Sequence, residues 1–443
     1  MAFRVCASWA VRHSVHGSRW SVSSTKVLRT GVASHSRRRN GFSFTPVSFI
    51  TSDAFLNRLT KGKEAELDDS GYHHHHPSLV PSDSGEQLSL LMRPPDEPET
   101  SRVLKVAIVG SPNAGKSTLS NQLMGRKVFA VSKKVHTTRS KNLGVLTEDA
   151  TQIILLDTPG LTTPSKVKRH NLESSLLLDP WSSVKEADLM LVMVDVADKW
   201  ACEKLDLEVL KVLAQNPEVP AVLVLNKTDL VKNKNKLLDV TALLTCGVVN
   251  GQKMHVKRPP WAEPRLATKD ANRQPPTESA PPDGSGESAS EGKGQRGTLK
   301  SQQGWPHFRD VFMVSSVDQE DVETLKRYLV VEAKPGPWQY HSDVLTDQTP
   351  EEVCANIIRE KLLEYLPQEV PYTMTQSIEF WRENENGELD IAVKLNTKKE
   401  AHMKMAIGSG GQMVGRIARE AGEDMSGIFL REVKLRISVR LSP

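Results

Sequence analysis

Apolar runs alternate with polar and helical stretches along residues 103–333. The runs occupy residues 103–109, 143–146, 153–156, 189–194 and 219–225, and a helical stretch spans residues 199–214. Strands that alternate with helices predict a mainly parallel sheet with helices on both faces. Ligands bind such sheets at the carboxyl ends of the strands. The residues directly after each run are therefore the candidates for a site.

A different pattern occupies residues 349–443. Thr349 and Pro350 form a helix start, and apolar residues then recur at helical spacing over residues 353–366. Residues 389–395 and 433–441 alternate as strands, with a glycine loop and a basic helix between them. The pattern predicts a separate small α+β domain.

Three segments show neither the helical nor the strand pattern of apolar residues. Residues 1–50 contain no Asp or Glu but many Arg and Ser, which is typical of a mitochondrial transit peptide; a basic tail that binds nucleic acid is the alternative. Residues 51–102 predict a disordered acidic linker, in which the tract His73 to His76 is solvated. Residues 249–305, rich in Pro, Gly and Ser, predict a disordered insertion.

Composition narrows the class of protein only slightly. A net charge of +4 over 443 residues does not by itself indicate nucleic acid. The four cysteines are far apart, which argues against disulfides and zinc and suits a reducing compartment. The apolar run at residues 189–194 is far shorter than the ~20 residues of a membrane-spanning helix.

The sequence GSPNAGKS at residues 110–117 directly follows the first apolar run and opens a helix. That context predicts a P-loop, whose backbone N–H groups cradle phosphate oxygens. Lys116 would reach the β- and γ-phosphates, which makes it a catalytic residue, and Ser117 would ligate Mg²⁺. The other predicted nucleotide contacts here are Gly110, Ser111, Pro112, Asn113, Ala114, Gly115 and Thr118.

Two further motifs follow strands. Asp157, Thr158, Pro159 and Gly160 end the run at residues 153–156; Asp157 is placed to hold Mg²⁺, and the Gly160 N–H to contact the γ-phosphate. The run at residues 219–225 ends in Asn226, Lys227, Thr228 and Asp229.

The second of these motifs selects guanine. The Asp229 carboxylate can accept hydrogens from N1 and N2 of guanine, whereas adenine would leave it unpaired. Asn226 would tie this loop to the P-loop, and the Lys227 stem would cover the base.

This set of motifs resembles the translation-factor-related GTPases. The resemblance assigns Ser315 and Ser316 to the last guanine motif and places Thr137 and Thr138 in the loop before the second strand. We favour Thr138 over Thr137 as the Mg²⁺ ligand and γ-phosphate sensor, and the choice between them stays open.

Two residues bear on the rate of hydrolysis. Leu161 stands where Ras-like proteins carry the Gln that orients water, so intrinsic hydrolysis is expected to be slow. Asn113 either helps bind K⁺, as in related GTPases, or is a polar loop residue without an ion.

Gly408, Ser409, Gly410 and Gly411 form a G-x-x-G loop ahead of a helix that carries Arg416 and Arg419. KH domains use such a loop to clamp about four nucleotides of single-stranded RNA. These six residues are the predicted RNA-binding set. The outward residues of the last strand, Lys434, Arg436 and Arg440, are interpreted as a solvated face.

A KH domain directly after one P-loop GTPase domain resembles the Era family, and the acid-free leader is most similar to its mitochondrial members. The resemblance implies a monomeric GTPase that uses GTP, GDP and Mg²⁺, resides in the mitochondrial matrix and binds no DNA. Its partners would be small-subunit rRNA near the 3′ end and the small mitochondrial ribosomal subunit, whose assembly it assists. Peripheral association with the inner membrane stays open, and so does a rival function in which the last domain docks a membrane or a protein.

Overall fold

The computed structural model describes residues 80–132, 134, 142–161, 183–254, 299 and 301–442. The leader, the histidine tract, Thr137 and Thr138 lie outside these residues.

The described strands of the first domain are β1 (Arg102–Gly110), β2 (Asn142–Glu148), β3 (Thr151–Asp157), β4 (Leu189–Asp195), β5 (Ala221–Asn226), the hairpin β6 (Val248–Val249) and β7 (Gln252–Lys253), β8 (Phe308–Met313) and β9 (Lys334–Pro335). Seven of them form one sheet in the order β2-β3-β1-β4-β5-β8, with β9 paired to β1. Strands β1, β3, β4, β5 and β8 run parallel, whereas β2 and β9 are antiparallel to their neighbours. The mainly parallel sheet that the sequence predicts is confirmed.

Helices cover both faces of this sheet. Alternate residues of β1 enter opposite cores, with Val106 and Ile108 on one side and Ala107 and Val109 on the other. The described helices are α1 (Ser84–Leu91), α2 (Lys116–Leu123), α3 (Leu207–Gln215), α4 (Asn235–Leu244) and α5 (Gln319–Glu332). Thus α3 is shorter than the helical stretch expected over residues 199–214.

The second domain is a three-stranded sheet, β10 (Thr375–Glu383), β11 (Leu389–Thr397) and β12 (Val433–Leu441), backed by three helices. Strand β11 pairs antiparallel with β10 and parallel with β12. The helices are α6 (Pro350–Tyr365), α7 (Glu400–Ile407) and α8 (Gln412–Phe429). The predicted start of α6 is a capping box in which Thr349 and Glu352 exchange hydrogen bonds. Strand β10 was not predicted, because a bulge between Ile378 and Phe380 breaks its alternation.

The prediction that residues 51–102 are disordered is wrong from residue 80 onward. Helix α1 lies over β2 and β3, where Leu90 packs with Leu143, Ile154 and Val344. The buried Gln87 side chain donates to the Thr346 carbonyl at 2.7 Å. These few apolar residues cover a sheet face that would otherwise meet water, a role that local composition does not reveal.

The same segment also reaches the second domain. The Val80 side chain is buried, and the Trp381 indole N–H donates to the Ser82 carbonyl at 2.9 Å. Further along the chain, Asp96 accepts from the Ser342 N–H at 2.7 Å. Residues 80–101 therefore contact the sheet of the first domain, the interdomain connection and the second domain.

The predicted insertion is too wide at both ends. Residues 248–253 form the β6–β7 hairpin, and the Trp305 N–H donates to the Leu244 carbonyl at 2.8 Å. Residues 255–298 lie outside the described part of the chain. Across the described residues, no helix is both long and apolar enough to cross a bilayer.

Gln87→Ala removes a buried hydrogen bond between α1 and the interdomain connection. We expect the free energy of unfolding to fall by about 1–3 kcal/mol, measured by urea denaturation. Ser89→Ala, at an exposed position of the same helix, is the control and should have little effect. Equal stability of the Gln87 variant and the wild type would contradict a packed α1.

Candidate nucleotide site and RNA-binding loop

The predicted P-loop connects β1 to α2, and its closeness to β5 explains the glycine before Lys116. Gly115 has φ +97°, and a Cβ there would lie 2.2 Å from the Asn226 amide nitrogen. Both the left-handed backbone and the close approach exclude other residues. That amide nitrogen donates to the Ala114 carbonyl at 2.8 Å. Asn226 therefore ties the two loops together, as the sequence predicts.

Lys116 lies inside the loop that it belongs to. Its ammonium donates to the Gly110 and Ser111 carbonyls at 3.3 and 3.1 Å. Burial lowers its pKa to about 8, an effect that the nearby charge of Asp157 opposes. A phosphate in the loop would give the buried ammonium an anionic partner.

Ser117 and Asp157 meet at the phosphate end of the site. The Ser117 hydroxyl donates to the Asp157 carboxylate at 2.7 Å, which brings together a hydroxyl and a carboxylate oxygen. Mg²⁺ prefers such hard oxygen ligands and takes few of them from the protein. These residues therefore fit a magnesium ion. Thr158 faces inward, where its hydroxyl donates to the Ile108 carbonyl at 2.6 Å.

Leu161 does not face the phosphates. Its side chain is buried in the core below β1 and β4, and its N–H donates to the Gly110 carbonyl at 3.1 Å. Gly160, the predicted γ-phosphate contact, packs against Pro112 of the P-loop, where a Cβ would lie 2.7 Å from the Pro112 Cα. The two loops are thus in contact through their backbones.

The two guanine motifs are joined by side-chain hydrogen bonds. The Ser315 hydroxyl donates to the Asp229 carboxylate at 2.7 Å. The Ser316 N–H and hydroxyl both donate to the Asn226 carboxamide oxygen, at 3.0 and 2.8 Å. The Ser316 backbone N–H is therefore directed at Asn226 in this structure.

Two acidic residues of the site were missed from the sequence. Asp195, at the end of β4, forms an ion pair with the Lys227 ammonium at 2.6 Å. Asp321 accepts from the Ser315 N–H at 2.8 Å, and burial raises its pKa. Asp195 directly follows the apolar run at residues 189–194, so the strand-end criterion used for the other motifs would have found it.

The predicted RNA-binding loop lies between α7 and α8. Gly411 has φ +81°, and a Cβ on either Gly410 or Gly411 would meet nothing within 4 Å, so this backbone faces open space. A Cβ on Gly408 would lie 2.7 Å from the Met413 Cβ, so that residue closes the loop onto α8. The arrangement leaves backbone accessible to a nucleic-acid strand.

The two predicted arginines of α8 are exposed but paired. Arg416 donates to Glu420 at 2.9 Å and stacks on Tyr365, with its guanidinium carbon 4.2 Å from the ring centre. Arg419 lies 3.9 Å from Glu423. Each arginine thus has a glutamate one helical turn away, which offsets part of its charge.

A partly buried ion-pair cluster joins the domains, and no local sequence pattern predicts it. Glu360 of α6 accepts from the Lys127 ammonium at 2.7 Å and from the Val131 N–H at 2.8 Å. Asp424 of α8 accepts from Lys127 at 2.7 Å and lies 2.8 Å from Lys361. Burial alone would raise the Asp424 pKa, but the hydrogen bonds from both lysines outweigh burial and lower it.

Known proteins share both domains and the order in which they occur. The 50S ribosome-binding GTPase family matches residues 105–227, and the KH domain family matches residues 369–441. The mitochondrial GTPase Era of Salmo salar is 66% identical, with both chains covered completely. That of Danio rerio is 60% identical over 90% of this chain and 88% of its own.

A solved structure agrees with the fold. A crystal structure of Era with MgGDPNP and nucleotides 1506–1542 of 16S ribosomal RNA superposes with a TM-score of 0.56 at 26% identity. The match covers 77% of this chain and 94% of the other. With its P-loop, its guanine motifs and the KH domain that follows them, the chain belongs to the Era family of GTPases.

Proposed function

We propose that this GTPase is an RNA chaperone of the mitochondrial matrix. It binds small-subunit mitochondrial rRNA near the 3′ end and assists assembly of the small subunit, and the bound nucleotide controls this binding. The Era crystallised with a 16S rRNA segment supports the RNA partner, and the names of the two fish relatives support the compartment. The observation that carries the switch is the Glu360 cluster, which connects the nucleotide domain to the helix of the RNA loop.

In this proposal the base and the phosphates are read by separate loops. Asp229, held by Ser315, accepts from the N1 and N2 hydrogens of guanine, and the Lys227 stem covers the base while Asp195 holds its ammonium. Lys116 and the P-loop N–H groups bind the phosphates.

Ser117, Asp157 and Thr138 would hold Mg²⁺. The ion, when bound, neutralises charge that develops on the phosphates during GTP hydrolysis. Because Leu161 is buried in the core, this chain lacks a side chain at that position to orient water. We therefore propose slow intrinsic turnover, with K⁺ near Asn113 as a candidate for the missing positive charge.

The switch runs through the segment that follows α2. Lys127 and Val131 contact Glu360, and the same stretch of chain leads into Thr138, the proposed γ-phosphate sensor. A movement of Thr138 toward the γ-phosphate would shift this segment against α6 and α8. Since α8 begins at Gly411, the shift reaches the loop that clamps RNA.

A membrane- or protein-docking role for the last domain is the rival function, with peripheral binding to the inner membrane as one form of it. The open backbone of Gly410 and Gly411 favours RNA, since docking to apolar surfaces needs an exposed apolar face. Binding that weakens steeply with salt supports RNA, whereas salt-insensitive recovery with membranes would support the rival.

Asp229→Asn should lower the affinity for GTP by on the order of 100-fold, because an amide cannot accept both guanine hydrogens. The weak affinity for ATP should not fall. Isothermal titration with both nucleotides measures the change, and Glu218→Gln, exposed on the same domain, is the control. An unchanged ratio of the two affinities would contradict guanine recognition by Asp229.

Gly408→Asp combined with Gly411→Asp should abolish binding to the 3′-terminal segment of small-subunit mitochondrial rRNA. The new carboxylates repel the RNA phosphates, and their side chains occupy the space in which a phosphate would approach the backbone of the loop. GTP affinity should stay intact. The control for added negative charge is Gly427→Asp. Gly427 is an exposed residue of α8, and a Cβ there would have no atom within 4 Å. Full RNA affinity in the double variant would contradict RNA binding by the G-x-x-G loop.

Glu360→Gln removes the charge from the interdomain cluster while preserving its shape. We expect RNA affinity measured with GDP and with a non-hydrolysable GTP analogue to become nearly equal, because Lys127 and Val131 lose their ionic anchor on α6. Glu364→Gln, exposed on the same helix, should keep the wild-type difference between the two nucleotides. A Glu360 variant that also keeps this difference would show that the coupling runs elsewhere.

A further inference from the structure

The sheet of the KH domain has an outer face that the proposed function does not use. Its helices pack against the face that carries Ile391, Val393 and Leu395. Alternation places the other residues of each strand outward. The strand register groups these outward residues in four rows, which are Arg382–Asp390–Lys434, Phe380–Ala392–Arg436, Ser377–Lys394–Ser438 and Thr375–Asn396–Arg440.

This outer face carries more cations than carboxylates. It carries five cations, Arg382, Lys394, Lys434, Arg436 and Arg440, and one carboxylate in its rows, Asp390. Lys434 pairs with Glu388, and Arg436 lies 3.6 Å from Asp390. Within the described chain, no ion pair engages the other three.

The cations near the G-x-x-G loop of the same domain are paired with carboxylates. Lys404, Arg416 and Arg419 each pair with a glutamate of their own helix. Each of these loop-side cations therefore has an acidic partner on its own helix, whereas Arg382, Lys394 and Arg440 of the sheet have no ion-pair partner within the described residues.

An aromatic ring fixes two of the sheet arginines in place. The guanidinium carbons of Arg382 and Arg436 lie 5.3 and 5.2 Å from the centre of the Phe380 ring. Stacking of this kind holds a guanidinium flat and leaves its N–H groups for an anion. Aromatic rings and arginine planes are also the surfaces on which unpaired bases stack.

The outer face is continuous with the start of the helix that leads to the loop. The Ser442 N–H donates to the Thr397 carbonyl at 2.8 Å, which places the Arg440 end of β12 beside Lys398 and Lys399. Both lysines are exposed and precede α7, which ends at the G-x-x-G loop. An RNA strand that left the G-x-x-G loop along α7 would therefore pass Lys398 and Lys399 before it reached the β-sheet.

We propose that the outer face of the β10-β11-β12 sheet is a second RNA-contacting surface. It binds single-stranded nucleotides that extend beyond the approximately four held by the G-x-x-G loop, with Arg382, Lys394 and Arg440 on phosphates and the Phe380 stack under the bases. This inference rests on the proposed RNA-binding function and extends it.

Oligoribonucleotide length separates the two surfaces. Randomised 5-mer and 20-mer RNA pools are titrated against the full chain by fluorescence anisotropy at several salt concentrations. The triple variant Arg382→Gln, Lys394→Gln and Arg440→Gln should bind the 5-mers as the wild type does. Its affinity for the 20-mers should fall about tenfold, and the slope of log K against log salt should decrease in magnitude by about 2, since each lost phosphate contact contributes about 0.7.

The control variant Lys253→Gln, Arg327→Gln and Lys334→Gln changes the net charge equally at exposed positions of the nucleotide domain and should leave both affinities unchanged. Unaltered 5-mer binding also reports an intact fold. If the sheet variant binds 20-mers like the wild type, the outer face is solvated or binds an acidic protein instead of RNA. This inference then fails while the proposed function stands. If the wild type binds neither pool, the proposed function fails.

Discussion

The carboxamide of Asn226 holds the nucleotide site together. Its nitrogen donates to the P-loop and its oxygen accepts from Ser316, so one side chain fixes the ends of β1, β5 and β8 relative to one another. Phosphate and guanine recognition come from different loops, and selectivity requires that these loops keep their spacing. The absence of a side chain at Gly115 makes this approach possible. The residues around this amide therefore have little freedom to vary, because a change in any of them would alter the spacing of the loops.

The interdomain cluster imposes a second constraint. Two carboxylates, Glu360 and Asp424, share Lys127 and Lys361 in a largely buried setting. Removing one partner from such a cluster costs more than the intact cluster contributes to stability, because a buried charge is left unpaired. The cluster therefore favours a few defined positions of the Lys127 segment relative to α6 and α8 over continuous sliding. A switch that connects two rigid domains requires such discrete positions.

The sequence predicted the elements whose signal is local. Asp229 and Gly408 lie in short motifs after strands or before helices, so their neighbours along the chain identify them. Strand β10 and helix α1 were missed for a different reason, since a bulge hides the period of one and distant partners order the other. Glu360 lies within the helical pattern at residues 353–366, and nothing nearby in the sequence reveals its partner Lys127, 233 positions away. The cations that share the outer face of the KH sheet likewise lie on different strands, so only the strand register shows that they are grouped.

The position of α1 in the chain affects the order of folding. Residues 80–101 come first among the described residues, yet the Val80 N–H donates to the Ile428 carbonyl and the Ser82 carbonyl accepts from Trp381, both in the KH domain. Contacts of such high sequence separation form late, since loop closure must precede them. The first described segment of the chain is therefore among the last to become ordered. Until the KH domain has folded, Val80 and Ser82 lack these partners, so the start of this segment stays open to local unfolding or to a chaperone even where α1 already covers β2 and β3.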